Sequence, residues 1–278
     1  MKCIRHILCQ AAWFICVLGW WNTASAQPLA SGSLPSDIQR VVSRGELRVA
    51  MPVFDSPPFF YEGPDGLAGI DAEIARGVAQ ALGVRLKVVR QAGSFNEVID
   101  SVVRGEVDMA VGKLSRTLTR AKSVRFSEPY SMSRHALLLN RVTFAAFARS
   151  RDFSEVVRHF DGTLGVIQDS SFADQATRNF PRARLVTYKR WDDLLAALTR
   201  GEVTAAYRDE FEMQRLFQQD PALSLSLRVV AFTDTQDSLS VALPYQSQQL
   251  LALVNLYLAQ QRTTLDNLPE MRKMRKQP

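Results

Sequence analysis

Hydrophobic positions along the first half of the chain recur with two alternating periods. The run 46–51, Glu-Leu-Arg-Val-Ala-Met, predicts a strand, preceded by a short helix over 38–43 that stops near Gly45. Over 69–82, Ile70, Ile74, Val78, Ala81 and Leu82 return at helical spacing and Gly83 closes the helix. The stretch 84–89 is rich in β-branched residues and predicts a second strand. A helix over 95–103, with Val98, Ile99 and Val102 on one face, feeds a strand at 107–111, and another strand is predicted at 136–139. Strands that alternate with helices imply parallel pairing through crossover helices.

The pattern then restarts. Strands at 163–167 and 184–188 alternate with helices over 172–179 and 191–199. Arg104-Gly-Glu-Val107 and Arg200-Gly-Glu-Val203 join an apolar helix to a strand at matching points of the two halves. The chain is therefore expected to be α/β: two similar lobes, each with a central, mostly parallel sheet flanked by helices, joined by a hinge. A helix over 210–217, strands at 227–232 and 238–243 and a closing helix over 246–261 follow. The last of these are expected to return and cover the first lobe. The boundaries read as 45–139 for lobe 1, 140–228 for lobe 2 and 229–262 for the return.

The ends of the chain change the picture of its setting. Lys2 and Arg5, an apolar run over 7–21 and Ala24-Ser-Ala26 carry the three parts of a secretory signal peptide, 1–26. The apolar run is short for a membrane span, which needs roughly 20 residues. Residues 27–44 read as a linker and leading helix, and 263–278 as a basic tail. Cys3, Cys9 and Cys16 all lie in the signal, so the exported chain is expected to hold no disulfide and no cysteine metal site. The net charge of +6 is spread along the chain and does not favour nucleic acid as a partner. No metal-spaced histidine pair, phosphate loop or Ser–His–Asp order is present, and neither cofactor nor metal is expected. The expected state is a periplasmic monomer.

Ligands of open parallel sheets sit beyond the carboxyl ends of the strands. Here those ends are 53–60, 112–120, 168–172 and 207–210. Arg120 offers a guanidinium fork to a carboxylate, with Ser115 beside it. Ser170 and Ser171 begin a helix whose free N–H groups suit an anion, or they simply cap it. Asp209 follows an apolar strand and offers an anion, or pairs at the surface with Arg208. Phe54, Phe59, Phe60 and Phe95 form an apolar wall or a core under the Pro57-Pro58 loop. A ligand with adjacent carboxylate and ammonium groups, an α-amino acid, satisfies this set.

These motifs together resemble the family 3 periplasmic solute-binding proteins, the amino-acid receptors of ABC importers. The likeness rests on Pro57-Pro-Phe59, Gly66-Leu-Ala-Gly-Ile-Asp71, Ser115-Arg-Thr-Leu-Thr-Arg120 with Phe126-Ser-Glu-Pro-Tyr130, Leu164 to Ser171, and Gly201 to Asp209. The resemblance implies a periplasmic-binding-protein type II-like fold that closes over a small polar ligand and delivers it to an ABC permease. It implies that Arg120 clamps a carboxylate, assisted by Ser115 and by the amides near Ser170 and Ser171. By the same resemblance Asp209 receives an ammonium, and Val53, Ser56, Phe59, Phe95 and Phe172 shape the side-chain pocket. Departures stand out. Lys113 occupies a position where the family has a small residue, which favours an acidic side chain on the ligand or a ligand that is not an amino acid. Asp169 replaces a glycine and brings an anion close to the expected carboxylate dock. Val53 lacks the carboxylate of several cationic-amino-acid receptors. Two alternatives share the scaffold: a cyclohexadienyl-dehydratase-like enzyme, with Glu210, Asp169 or Glu128 as its acid or base, and a ligand-sensing accessory protein.

Overall fold

The computed structural model describes residues 33–266. The expected signal segment, most of the linker behind it and the basic end at 272–276 lie outside the described residues. Twelve strands form two five-stranded sheets and a hairpin among those described. They are β1 (Glu46–Pro52), β2 (Tyr61–Gly63), β3 (Gly66–Ala68), β4 (Arg85–Ala92), β5 (Met109–Ala110), β6 (Val124–Phe126), β7 (Ser131–Asn140), β8 (Thr163–Ile167), β9 (Arg184–Tyr188), β10 (Ala205–Asp209), β11 (Leu227–Leu239) and β12 (Ala242–Pro244).

The first sheet has the order β4-β1-β5-β12-β6, with β1 parallel to β4 and β5, and β12 antiparallel to its neighbours. Period-two alternation puts Leu47, Val49 and Met51 of β1 on one face, against Ile70, Ile74 and Val78 of the helix Ile70–Ala81. Ala50 faces the other way, with Val98 and Val102 of the helix Phe95–Val103. Both faces are covered, as a parallel sheet requires. The closing helix Gln248–Asp266 adds Leu250, Val254 and Leu258 to the first face. It packs so closely on the helix Ile70–Ala81 that a Cβ on Gly77 would lie 1.9 Å from the Tyr257 hydroxyl.

The second sheet has the order β11-β7-β10-β8-β9, parallel at β10-β8-β9 and antiparallel at β11-β7-β10. Leu137, Leu164, Val166, Phe172 and Tyr207 pack on one face, and Leu138, Leu194, Leu198 and Met213 on the other. The repeated Arg-Gly-Glu segments are one structure made twice. Gly105 donates to the Val102 carbonyl and Glu106 to that of Ser101, while Gly201 donates to Leu198 and Glu202 to Ala197. Each glycine is left-handed, φ 71° and 77°, and each completes a Schellman cap that turns a helix into a strand.

Three sequence expectations shift. The strand at 136–139, placed at the end of lobe 1, is the longer β7 and pairs with β10 and β11 in the second sheet. The strand expected at 227–232 continues as β11 to Leu239, carried past a register shift between Ala231 and Gln236. Two helices, Arg141–Ala148 and Phe153–Arg158, occupy a stretch for which the pattern predicts no element. The physical reason for the first is general: alternation marks a strand but not the edge it pairs with. The chain crosses between sheets just before β7 and just after β11. There Tyr130 donates to the Leu239 carbonyl and Ser127 to that of Val241, tying the two crossings side by side.

Candidate ligand-binding cleft

Lys113 follows β5 in a left-handed conformation, φ 54°, and its backbone N–H donates to Asp71 Oδ2 at 2.7 Å. Asp71 is fully buried at the start of the helix Ile70–Ala81, and burial pushes its carboxyl up to about 7 against the opposing influence of the Tyr130 hydroxyl and the Lys113 amide. Held in this way, the Lys113 side chain runs away from its own lobe. Its Nζ lies 2.8 Å from Asp209 Oδ1 and 3.8 Å from Glu212 Oε2, over the face of Phe59 at 5.3 Å.

Asp209 ends β10 and caps the helix Glu210–Gln219, accepting from the Glu212 N–H at 3.1 Å. Arg208 approaches both carboxylates, 3.7 Å from Asp209 Oδ2 and 3.4 Å from Glu212 Oε2, and stacks on Trp191. Arg215 also bonds Glu212. Burial opposes ionisation of Glu212, yet Arg208, Lys113 and Arg215 together hold its carboxyl down at about 2.

The second polar group forms around Ser115. Its hydroxyl donates to Asp237 Oδ2 at 2.7 Å and meets the Ser171 hydroxyl at 2.7 Å. Ser115 belongs to the loop after β5 and Ser171 to the helix Ser171–Asn179 on the second sheet, so this contact also spans the two lobes. Asp237 lies on β11 beyond the register shift. Burial pushes its carboxyl up to about 6; Ser115 opposes this, Asp209 adds to it, and Arg120 and Lys113 oppose it. Arg120 is buried, with Nη1 donating to the Ser115 carbonyl at 3.1 Å and Nη2 to Asn96 Oδ1 at 2.9 Å. Burial lowers it to about 10, with Asp237 and Asp174 opposing, and it remains a cation at neutral pH.

Both groups face one cavity, whose wall includes Phe95, Lys113, Ser115, Ser170, Ser171, Phe172, Tyr207, Asp209 and Asp237. The open space left among them is about 20 Å³, room for one water-sized molecule. Phe59 with Phe211, ring centroids 5.6 Å apart, and Asn96 N–H with the Asp169 carbonyl, 3.3 Å, add two more contacts across the cleft.

The structure thus brings together most of the residues read from the sequence, with differences. Lys113, Ser115, Ser170, Ser171, Phe95, Phe172 and Asp209 line the cavity. Arg120 lies behind Ser115 rather than on the wall. Phe59 is in the lobe 1 core beneath Lys113. Ser56 is buried in the same loop, off the cavity, and Val53 is exposed, its N–H donating to the Ala92 carbonyl and its own carbonyl accepting from Arg90. Asp169 faces solvent, so its carboxylate does not crowd the carboxylate dock. Glu210 is gripped by Arg134 at 2.7 and 2.9 Å and Glu128 is exposed, so none of the carboxylates considered as acid or base lies in the cavity.

The sequence reading missed Asp237, Asn96, Glu212 and the His135–Tyr207 pair. Asp209-x-x-Glu212 carries the spacing of a capping box, a usable signal. Tyr207 also accepts from Asn179 at 2.8 Å, and burial drives the neighbouring His135 down to about 4 with Asp209 opposing, a neutral ring under the cavity. Asp237 lies in a polar run between two strand-like stretches, and nothing local marks its destination.

A family model for the bacterial extracellular solute-binding proteins, family 3, matches residues 47–269. An amino acid ABC transporter substrate-binding protein, AbpA, from Streptococcus pneumoniae, solved bound to L-arginine, superposes with a TM-score of 0.69, at 25% identity over 84% of this chain and 96% of that one. The ancestral amino acid-binding protein AncCDT-1, described as a precursor of cyclohexadienyl dehydratase, gives 0.65 at 23% identity over 83% of this chain and 98% of that one. Among curated proteins, the membrane-bound lytic murein transglycosylase F of Idiomarina loihiensis is 29% identical over 241 residues, 83% of this chain and 49% of that protein. That of Saccharophagus degradans is 34% identical over 118 residues, 42% of this chain and 23% of that protein. The chain spans about half the length, or less, of the curated relatives it matches.

Proposed function

The chain belongs to the bacterial extracellular solute-binding proteins, family 3, and from that premise we propose that it captures a small carboxylate-bearing solute by closing its two lobes. The observation that carries this reading is the Ser115–Ser171 contact at 2.7 Å. It places hydroxyls from opposite lobes side by side at the cavity wall, with the buried Arg120 cation behind one of them and a helix N-terminus behind the other. A carboxylate arriving there exchanges with Asp237 for the Ser115 hydroxyl and enters the field of Arg120. Closure then follows from the solute binding the closed form better than the open one.

The physiological role that fits this reading is delivery of the solute to an ABC importer from the periplasm. A thermal-shift screen of amino acids, small hydroxy and oxo acids and dicarboxylates tests capture: a concentration-dependent rise in Tm with some member is expected, and a flat response across the panel removes the reading. A second role is favoured by the likeness to a membrane-bound lytic murein transglycosylase: a ligand-sensing module coupled to an enzyme. Uptake of the solute found in the screen separates the two. Loss of uptake on deletion of this chain supports delivery, and unchanged uptake supports sensing.

A further inference from the structure

The family reading needs an anion to receive a ligand's ammonium, and here that anion is already engaged from within. We infer that the Lys113 side chain stands in for the ammonium of an α-amino acid, so that the cleft selects small carboxylic acids without an α-amino group, such as 2-hydroxy and 2-oxo acids. The inference rests on the capture reading proposed above.

Four observations carry it. Lys113 Nζ sits 2.8 Å from Asp209 and 3.8 Å from Glu212, and all three side chains are buried. The other carboxylate groups on that side are taken up too, with Asp209 accepting from the Glu212 N–H and Glu212 bonded by Arg215 and approached by Arg208. The lysine is steered into place by its left-handed backbone, its N–H bond to Asp71 and the Phe59 ring beneath the ammonium. Finally, lysine and carboxylate come from different lobes, so the pair joins the same surfaces that a bound ammonium would join.

An amino acid entering this site would set its ammonium against a buried like charge, or would have to displace Lys113 from the Asp209 and Glu212 carboxylates that hold it. Either route is costly where charges are desolvated. A hydroxyl or carbonyl at the same position meets no such opposition and can share the Lys113 ammonium as a hydrogen-bond donor. The carboxylate end remains exchangeable, because Asp237 is held by one hydroxyl and its carboxyl is pushed towards the neutral form.

The test compares matched pairs (alanine with lactate and pyruvate, aspartate with malate, phenylalanine with phenyllactate) by calorimetry on the intact protein and on Lys113→Met. The wild type is expected to prefer the deaminated member of whichever pair binds by at least about tenfold, and Lys113→Met to reverse that preference by freeing Asp209. Adding Asp209→Asn to Lys113→Met must abolish the reversal. An amino acid bound more tightly than its deaminated twin by the wild type overturns the inference while leaving capture intact. No binding to either protein removes the capture reading. A ligand-free measurement then still decides the role of the lysine. Small-angle scattering is expected to give a smaller radius of gyration for the wild type than for Lys113→Met, and equal radii overturn the claim that Lys113 bridges the lobes in a ligand's place.

Discussion

The Lys113 ammonium lies 2.8 Å from the Asp209 carboxylate, and the two residues come from lobes built on different sheets. Their pairing joins the two lobes across the cleft. It also makes the stability of the fold and the chemistry of the site depend on the same two side chains.

Breaking that pair from one side should be expensive. Lys113→Met leaves Asp209 and Glu212 buried with one cation fewer, and a loss of about 3 kcal/mol is expected in urea denaturation. The double variant Lys113→Met, Asp209→Asn should recover most of it, because asparagine keeps the helix cap. A double variant no more stable than the single one would show that the pair is not the source of the loss.

Asp237 should make stability fall as pH rises. Its carboxyl is raised from 3.8 to about 6, so between those values the folded state binds the proton more tightly than the unfolded state. The stabilising proton is present below about pH 4 and is lost through about pH 6. Ser115, Arg120, Lys113 and Asp209 are the groups that face it. Asp237→Asn, which mimics the neutral form, should therefore be about 3 kcal/mol more stable than wild type at about pH 8, with the difference vanishing near pH 4. Comparing the two proteins cancels His135, whose depressed value of about 4 acts in the opposite direction.

Arg120 should matter to the solute through its fork geometry. It donates from Nη1 to the Ser115 carbonyl and from Nη2 to Asn96, fixing the loop that presents the Ser115 hydroxyl. Arg120→Ala is expected to weaken binding of the solute found in the screen by more than about tenfold in calorimetry. Arg120→Lys should restore little, since a single nitrogen on a shorter stem does not reproduce the planar fork that reaches both acceptors. Full rescue by lysine would reduce the role of Arg120 to its charge.

Gly77 reports on the docking of the closing helix. In an unhindered helix Gly→Ala stabilises by up to about 1 kcal/mol. Here the new methyl would lie 1.9 Å from the Tyr257 hydroxyl, so Gly77→Ala should instead cost about 1–3 kcal/mol by thermal denaturation. Tyr257→Ala in the same background should return most of that loss.

The local grammar of the chain was enough for most of its longer elements and for the family, though not for the helices Arg141–Ala148 and Phe153–Arg158. Leu47, Val49 and Met51 alternate because β1 has two covered faces. The two Arg-Gly-Glu segments repeat because each ends a helix with a left-handed glycine, a requirement met within six residues. Ser115, Arg120, Ser171 and Asp209 were legible for a similar reason: strand ends and helix starts point their side chains and N–H groups to one edge of a parallel sheet. What could not be read were relations over long separations. The sequence of β7 says strand, but only pairing with β10 and β11 assigns it to the second sheet. Asp237 reaches Ser115, 122 positions away, through the register shift in β11. Lys113 shows the division most clearly. Its place in the loop after β5 was plain from the sequence, and its chemistry marked it as unusual. Whether its ammonium would meet a ligand, solvent or a carboxylate depended on the other lobe, and tertiary structure decided for Asp209, because a buried cation must find its anion wherever the fold puts one.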